Sequence, residues 1–181
     1  MKKRKKVYIG LTADILHHGH MNLLEEARKY GDIIIGLFTD SAITKHKRLP
    51  YLNYKQREKI LKNFRGVIKV VPQNEWDYSN NINKIRPDYM VHGDDWKVGL
   101  DSSIRRNVIK TLNAYGGKLI EIKYTKGISS GAFVESQRII STTPDVSRST
   151  LSRLINSKPI IRIIETHSPI SAIIAEKTIL Q

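Results

Sequence analysis

The sequence predicts an α/β fold: an open, doubly wound sheet of five parallel strands flanked by helices, in a single domain with a C-terminal appendage. Two observations carry that expectation. Short apolar runs rich in Val and Ile recur five times, at 7–11, 32–40, 66–71, 89–92 and 118–122, as buried parallel strands do. Between them lie segments whose apolar residues repeat at helical spacing, so strand and helix alternate in the manner of βαβ units. Folds of this Rossmann-like kind bind ligands outside the carboxyl ends of their strands, near the switch in strand order.

Each element has its own reason. Val7 to Leu11 is a β-branched strand, and Leu23, Leu24 and Ala27 give the helix that follows Gly19 its apolar stripe. Gly31 stops that helix, and Asp32 to Asp40 (DIIIGLFTD) is the second strand. Asn53 and Gln56 form a capping box for a helix over Tyr54 to Phe64, with Ile60, Leu61 and Phe64 as its apolar face. Gly66 to Val71 is the third strand. Asn80 to Ile85 is a short helix that ends before Pro87, since proline disfavours helix in the residue ahead of it. Tyr89 to His92 is the fourth strand. Asp101 or Ser102 caps a helix running to Tyr115, with Ile104, Val108, Ile109 and Leu112 inward and Gly116-Gly117 as its stop. Lys118 to Ile122 is the fifth strand, and a helix is expected from the Gly/Ser segment after it to Ile140. Ser141 to Pro144 reads as a linker, Asp145 to Ser157 as a helix broken by Pro159, and Ile160 to Glu165 as one more buried strand.

Composition narrows the class. The chain has 181 residues, enough for one domain with a sizeable core. Lys and Arg number 31 against 17 Asp and Glu, a net charge of +14 that favours anionic partners such as nucleotides, phosphorylated metabolites, nucleic acid or acidic membrane. The opening Met1 to Lys6 is basic, but acidic and histidine residues follow it with no small-residue cleavage site, so it reads as a lead-in to the first strand. No stretch reaches the roughly 18 apolar residues of a membrane span. With no cysteine, thiolate chemistry and disulfides are excluded and a reducing cytoplasm is the expected location.

The chemistry concentrates at the first strand–helix junction, Thr12-Ala13-Asp14-Ile15-Leu16-His17-His18-Gly19-His20. A helix N-terminus there offers unpaired N–H groups and partial positive charge to a phosphate. Gly19 allows a tight turn, and His17 and His20 fall on one side of the first turn. An H-x-x-H pair alone is more often structural than functional; the strand before, the helix after and the glycine between make the phosphate reading specific. Three further stretches follow strands: the basic loop Lys45-His46-Lys47-Arg48, the turn Gly93-Asp94-Asp95-Trp96, and Tyr124-Thr125-Lys126-Gly127-Ile128-Ser129-Ser130. Taken alone, these are a solvated charge run, an ordinary turn and an ordinary N-cap.

Together these residues resemble the HxGH nucleotidyltransferase family in its cytidylyltransferase branch, whose consensus GTFDLLHxGH is matched at Thr12, Asp14, His17, Gly19 and His20 and departed from at Leu11 and Ala13. The resemblance implies that His17, His20, Lys45 and Lys47 are catalytic. It further implies that Thr12, Ala13, His18, Gly19, Arg57, Gly93, Asp94 and Trp96 bind nucleotide, with Tyr124, Thr125, Gly127, Ile128, Ser129 and Ser130. Tyr124 stands where the RTxGISST motif of the family has arginine, so Lys123 or Lys126 would supply that charge or the triphosphate would lose one contact. Mg²⁺ is implied as cofactor, held mainly by the triphosphate, with Asp14 the one protein candidate for it.

The implied reaction is transfer of CMP from CTP with release of pyrophosphate. The wording of the first motif is most similar to phosphonate cytidylyltransferases fused to phosphoenolpyruvate mutase, and residues 151–178 resemble the start of a mutase domain. Residues 1–140 are therefore expected to be the cytidylyltransferase-like domain, and 141–181 a linker and truncated mutase start. The acceptor expected is a small phosphonate of the 2-hydroxyethylphosphonate or 2-aminoethylphosphonate class, because Asp77-Tyr78-Ser79-Asn80 lacks the substrate lysine that glycerol-3-phosphate enzymes carry after Trp76. The alternative is glycerol-3-phosphate as acceptor, making CDP-glycerol. Adenylyl transfer would also suit HxGH, but GDDW favours cytidine. A homodimer and fusion to a mutase are the protein partners considered; neither a membrane nor nucleic acid is expected, since the positive charge comes with no nucleic-acid-binding motif.

Overall fold

The computed structural model describes residues 4–97, 102–123, 144–161 and 163–177. Five strands, β1 (Lys6–Leu11), β2 (Asp32–Phe38), β3 (Val67–Gln73), β4 (Tyr89–Gly93) and β5 (Lys118–Ile122), form one sheet in the order β3-β2-β1-β4-β5. Every pairing is parallel. The helices are α1 (His18–Arg28), α2 (Asp40–Thr44), α3 (Tyr54–Leu61), α4 (Ser79–Ile85), α5 (Ser102–Asn113), α6 (Pro144–Ser157) and α7 (Pro169–Lys177), with a 3₁₀ turn at Asp94–Lys97. The sequence reading of the α/β class and of all five strands holds.

Alternation along β1 builds two cores. Val7, Ile9 and Leu11 join Leu24 and Ala27 of α1, Ile33, Ile35 and Leu37 of β2, and Leu61 of α3 on one face. Tyr8 faces the other way, into Ile82 of α4, Met90 of β4 and Val108 and Leu112 of α5. Burying each such aliphatic side chain contributes about 1.5–3 kcal/mol, so both faces of the sheet are needed to hold it. The chain reverses its winding between β1 and β4, and there the ladder is short. β1 and β4 pair only at Val7 with Tyr89 and Tyr8 with Met90, whereas β1 stays paired with β2 through Leu11 and Leu37. Beyond Tyr8 and Met90 the two strands diverge, opening a crevice at their carboxyl ends.

Three expectations need correction. The apolar face of α3 is Leu61 with Phe64, while Ile60 is exposed, because the buried Arg57 takes the core-facing position one turn before Leu61. Ile160 to Glu165 is not a strand over its described residues: Ile160, Ile163 and Ile164 are exposed, and none of the five described strands pairs with them. The second strand, expected to reach Asp40, ends at Phe38, because Thr39 caps a helix that opens at Asp40 by accepting from the Ala42 N–H; beyond the tail's isoleucines, Pro169–Lys177 is helical. Gly116, at φ +83°, stops the fifth helix in the left-handed conformation that glycine adopts at no steric cost. The expected helix to Ile140 and the linker up to Thr143 lie outside the described residues.

Candidate active site

The β1–α1 turn sets the first part of the site. Ala13, buried and without glycine's freedom, takes φ +50°, a left-handed conformation that costs about 1–2 kcal/mol and turns the chain sharply after Thr12. His17 is then the N-cap of α1, with extended backbone at φ −142° and ψ 170°. Its backbone N–H donates to Nδ1 of His20 at 3.3 Å, so in the neutral ring the proton of His20 sits on Nε2. The two rings lie 4.1 Å apart. His17 Nδ1 is buried without a hydrogen-bond partner among the described residues, the kind of orphaned polar atom that a ligand satisfies. Burial, with help from His17, holds the His20 pKa down to about 4; burial and the neighbouring His18 lower that of His17. Both imidazoles are therefore neutral at pH 7 in the free protein.

The crevice between β1 and β4 is a cleft of two adjoining lobes. The first, about 210 Å³, is lined by Thr12, His17, Gly19, His20, Lys47 and Gly93, with Asp95 and Lys123 at its edge. The second, about 170 Å³, shares Thr12, His20 and Lys47 and adds the aromatic walls Phe38, Trp76, Tyr78 and Trp96. Gly10 forms the floor of both; a Cβ there would run into the Tyr78 ring. Trp96 stacks on His92 at 3.7 Å and nearly parallel, and donates its indole N–H to Glu121 at 2.9 Å. Glu121 is gripped in turn by Arg105 through two 2.8 Å bonds, which hold its carboxyl down to about 2. Trp76 packs between Phe38 at 4.8 Å and His46 at 4.6 Å, with the Lys47 ammonium 5.3 Å from its ring centre. An ammonium so placed can swing between the aromatic lobe and an anion in the first.

Of the residues singled out in the sequence, Thr12, His17, Gly19, His20, Lys47, Gly93 and Trp96 meet in this cleft. His18 is exposed at the mouth of the helix, and Lys45 is exposed at the end of α2, outside either lobe. Asp94 turns toward Lys97 at 4.0 Å, and Asp95 lines the cleft in its place. Arg57 is fully buried: it donates to the carbonyls of Leu52 and Thr12 and to Asp40, so it reaches the site through the β1 backbone. Asp14 accepts from Arg48 and from the Tyr51 N–H, each at 2.6 Å. With both oxygens so used, and no cluster of three metal-ligating side chains among the described residues, those described residues do not fit a protein-held metal. Ser79 points its Oγ at Thr111, away from the cleft. Tyr124, Thr125, Gly127, Ile128, Ser129 and Ser130 lie outside the described residues. Sequence reasoning assigns no role to His92, Asp95, Phe38 or Tyr78, although Asp95 stands in the Gly93–Trp96 turn, Tyr78 in the stretch after Trp76, and His92 just before Gly93 at a strand's end; Phe38 carries no such signal.

Comparison with known proteins places the chain in a family. A sequence profile for cytidylyltransferase-like proteins matches residues 8–136. The chain is 38% identical over 99 residues to the glycerol-3-phosphate cytidylyltransferase of Bacillus spizizenii, covering 54% of this chain and 77% of that one. It is 33% identical over 135 residues to the ethanolamine-phosphate cytidylyltransferase of Dictyostelium discoideum, covering 74% of this chain and 36% of that longer protein. Among solved structures, the lipopolysaccharide core biosynthesis protein of Thermoplasma volcanium matches at a TM-score of 0.56 and 20% identity, over 70% of this chain and 100% of that one, a likeness of fold alone. With the family profile matching residues 8–136, from within β1 to beyond β5, the chain belongs to the cytidylyltransferase-like family.

Proposed function

We propose that the protein transfers CMP from CTP to a small phosphate ester of the glycerol-3-phosphate or ethanolamine-phosphate kind, releasing pyrophosphate. The observation that carries this is the meeting of His17, His20, the α1 N-terminus and Lys47 in one lobe of a cleft whose other lobe is aromatic. An oxygen of the acceptor phosphate attacks the α-phosphorus of CTP; the new P–O bond forms as the bond to the bridging oxygen of the β-phosphate breaks. The acceptor oxygen is already ionised at neutral pH, so the site needs alignment and charge stabilisation more than a strong base.

His17 and His20, neutral in the free protein, donate ring N–H groups to the phosphoryl oxygens. As negative charge gathers beside them their affinity for a proton rises, and the hydrogen bonds strengthen as the transition state forms. Lys47 supplies a full positive charge from the loop side. A helix dipole contributes about 0.3–1 kcal/mol at an exposed site, against the 8 kcal/mol or more of a typical enzymatic acceleration, so the helix end acts only with these side chains. Magnesium would enter with the nucleotide and neutralise phosphate charge; no protein ligand is assigned to it. The aromatic lobe, walled by Phe38, Trp76, Tyr78 and Trp96, takes the acceptor, so Trp96 moves from the nucleotide role that the resemblance implies to an acceptor wall.

The sequence motif favours a phosphonate acceptor, while the relatives named above act on phosphate esters; that is the reason for preferring the ester. The test is pyrophosphate release from each of the four ribonucleoside triphosphates with glycerol-3-phosphate, phosphoethanolamine, 2-hydroxyethylphosphonate and 2-aminoethylphosphonate. The proposal expects turnover with CTP and an ester. Preference for a phosphonate would replace the acceptor and leave CMP transfer intact; preference for ATP would overturn the reading.

A further inference from the structure

The segment that carries Lys47 is flanked on both sides by contacts to α6, a helix that lies beyond the family-matched residues 8–136. The lysine belongs to the basic segment between α2 and α3, and its backbone N–H is tied to the Ile43 carbonyl of α2 at 2.8 Å. On one side of that segment stand Asp40 and Thr44, on the other Pro50 and Tyr51. Arg153 of α6 touches both sides. Its Nη1 donates to the Tyr51 carbonyl at 2.8 Å; its Nη2 donates to the Pro50 carbonyl at 2.9 Å and faces Asp40 Oδ2 at 3.4 Å. The Thr44 hydroxyl adds a bond to the Ser157 carbonyl at the end of α6, at 3.2 Å.

The other oxygen of Asp40 belongs to Arg57, whose guanidinium also holds the Thr12 and Leu52 carbonyls. One carboxylate thus joins two arginines. Arg57 fixes the β1 end to the start of α3, and Arg153 fixes α2 to the loop's return at Pro50 and Tyr51. A planar guanidinium suits this task because its donors reach several acceptors in a set geometry, which a lysine ammonium on a flexible stem does not. The side chain is partly shielded, with 24% of its surface exposed, so its bonds to the loop face limited competition from water.

We propose that Arg153 is a positioning residue for Lys47: by clamping both ends of the loop it sets where the Lys47 ammonium stands in the cleft, and it makes α6 a working part of the site. The consequence for activity rests on the function proposed above; the clamp itself does not. Displacement of a catalytic group by about 1 Å can cost on the order of a hundredfold in rate, so loss of the clamp is expected to lower kcat/KM for CTP by about ten- to a hundredfold.

The test uses the full chain, with Arg153→Met, Lys47→Met and the double variant. Hydrogen exchange of the amides at 45–53 should quicken by about tenfold or more in Arg153→Met, with β1 and β2 unchanged. The drop in kcat/KM caused by Arg153→Met should vanish in the Lys47→Met background, because a residue acting through Lys47 has nothing to position once the ammonium is gone. Unchanged exchange at 45–53, or an equal loss in both backgrounds, overturns the proposal. If the wild-type protein turns over no CTP, the function reading fails and exchange alone decides the clamp. Should Arg153→Met lower the thermal midpoint of the whole domain, Arg153→Lys, which keeps the charge and loses the fork, takes its place, and the same two results decide.

Discussion

The two lobes of the cleft are built in different ways. The phosphate lobe takes most of its wall from one contiguous stretch, Gly10 to Leu23, folded as strand, turn and helix. The aromatic lobe draws Phe38 from the end of β2, Trp76 and Tyr78 from the loop after β3, and Trp96 from the 3₁₀ turn after β4. The difference teaches where the parts of a transferase reside. On the function proposed above, the chemistry common to many acceptors falls to a local strand–turn–helix frame, and selection among acceptors to side chains that come together only when the whole sheet forms. A mutation in the first lobe should therefore change rate across all acceptors, and one in the second should change choice.

The largest effect is expected at the histidines. His17→Ala and His20→Ala should each lower kcat by about a hundredfold or more while CTP affinity stays within a few fold, because their donors strengthen only as charge develops. Steady-state kinetics beside equilibrium CTP binding checks this. If both variants lost affinity and kept kcat, the phosphate lobe would be a binding site without a catalytic part, and the contrast between the lobes would collapse.

A smaller effect concerns stability. In the unfolded chain His20 titrates near 6.5, whereas in the folded protein burial lowers its pKa to about 4. Between those values the unfolded chain binds more protons, so stability rises with pH across that interval. The contribution of the neutral, buried ring is complete above about 6.5 and is lost as pH falls toward about 4. Urea unfolding from pH 7 to pH 4 should show a shallower decline for His20→Asn than for the wild-type protein, over the same interval. Parallel declines would show that the ring is more solvated than its place beneath His17 implies.

The same contrast explains what could be read in advance. The phosphate lobe was legible because residues within one strand–turn–helix are neighbours in space by virtue of being neighbours in sequence. His17, Gly19 and His20 needed no tertiary information, and Lys47 and Gly93 came from the family resemblance. The aromatic lobe is legible only in part: Trp96 and the neighbourhood of Trp76 come from the resemblance, but nothing local brings Phe38 and Tyr78 to them. Arg57 was legible as important but not in its role. A guanidinium can satisfy a nucleotide or buried carbonyls equally well, and only the fold shows that Thr12, Leu52 and Asp40 already surround it. Asp14 is a metal candidate by the resemblance alone, and only the fold shows that Arg48 and the Tyr51 N–H already take its two oxygens. The run Ile160 to Glu165 shows the limit from the other side. Its composition suits a strand, but strand formation depends on a partner edge, and the described part of the run has none.

The most direct test of the division between the lobes is the ratio of kcat/KM for glycerol-3-phosphate to that for 2-hydroxyethylphosphonate, at saturating CTP, in the wild-type protein, His20→Ala and Trp76→Ala. Loss of the His20 donor should lower both values together and leave the ratio within about twofold of wild type, since the donor acts on the phosphoryl group that all acceptors share. Loss of the Trp76 wall should move the ratio by about tenfold or more, the scale on which a hydrophobic pocket discriminates. A ratio that moved with His20→Ala and stayed fixed with Trp76→Ala would contradict the assignment of chemistry to one lobe and acceptor selection to the other.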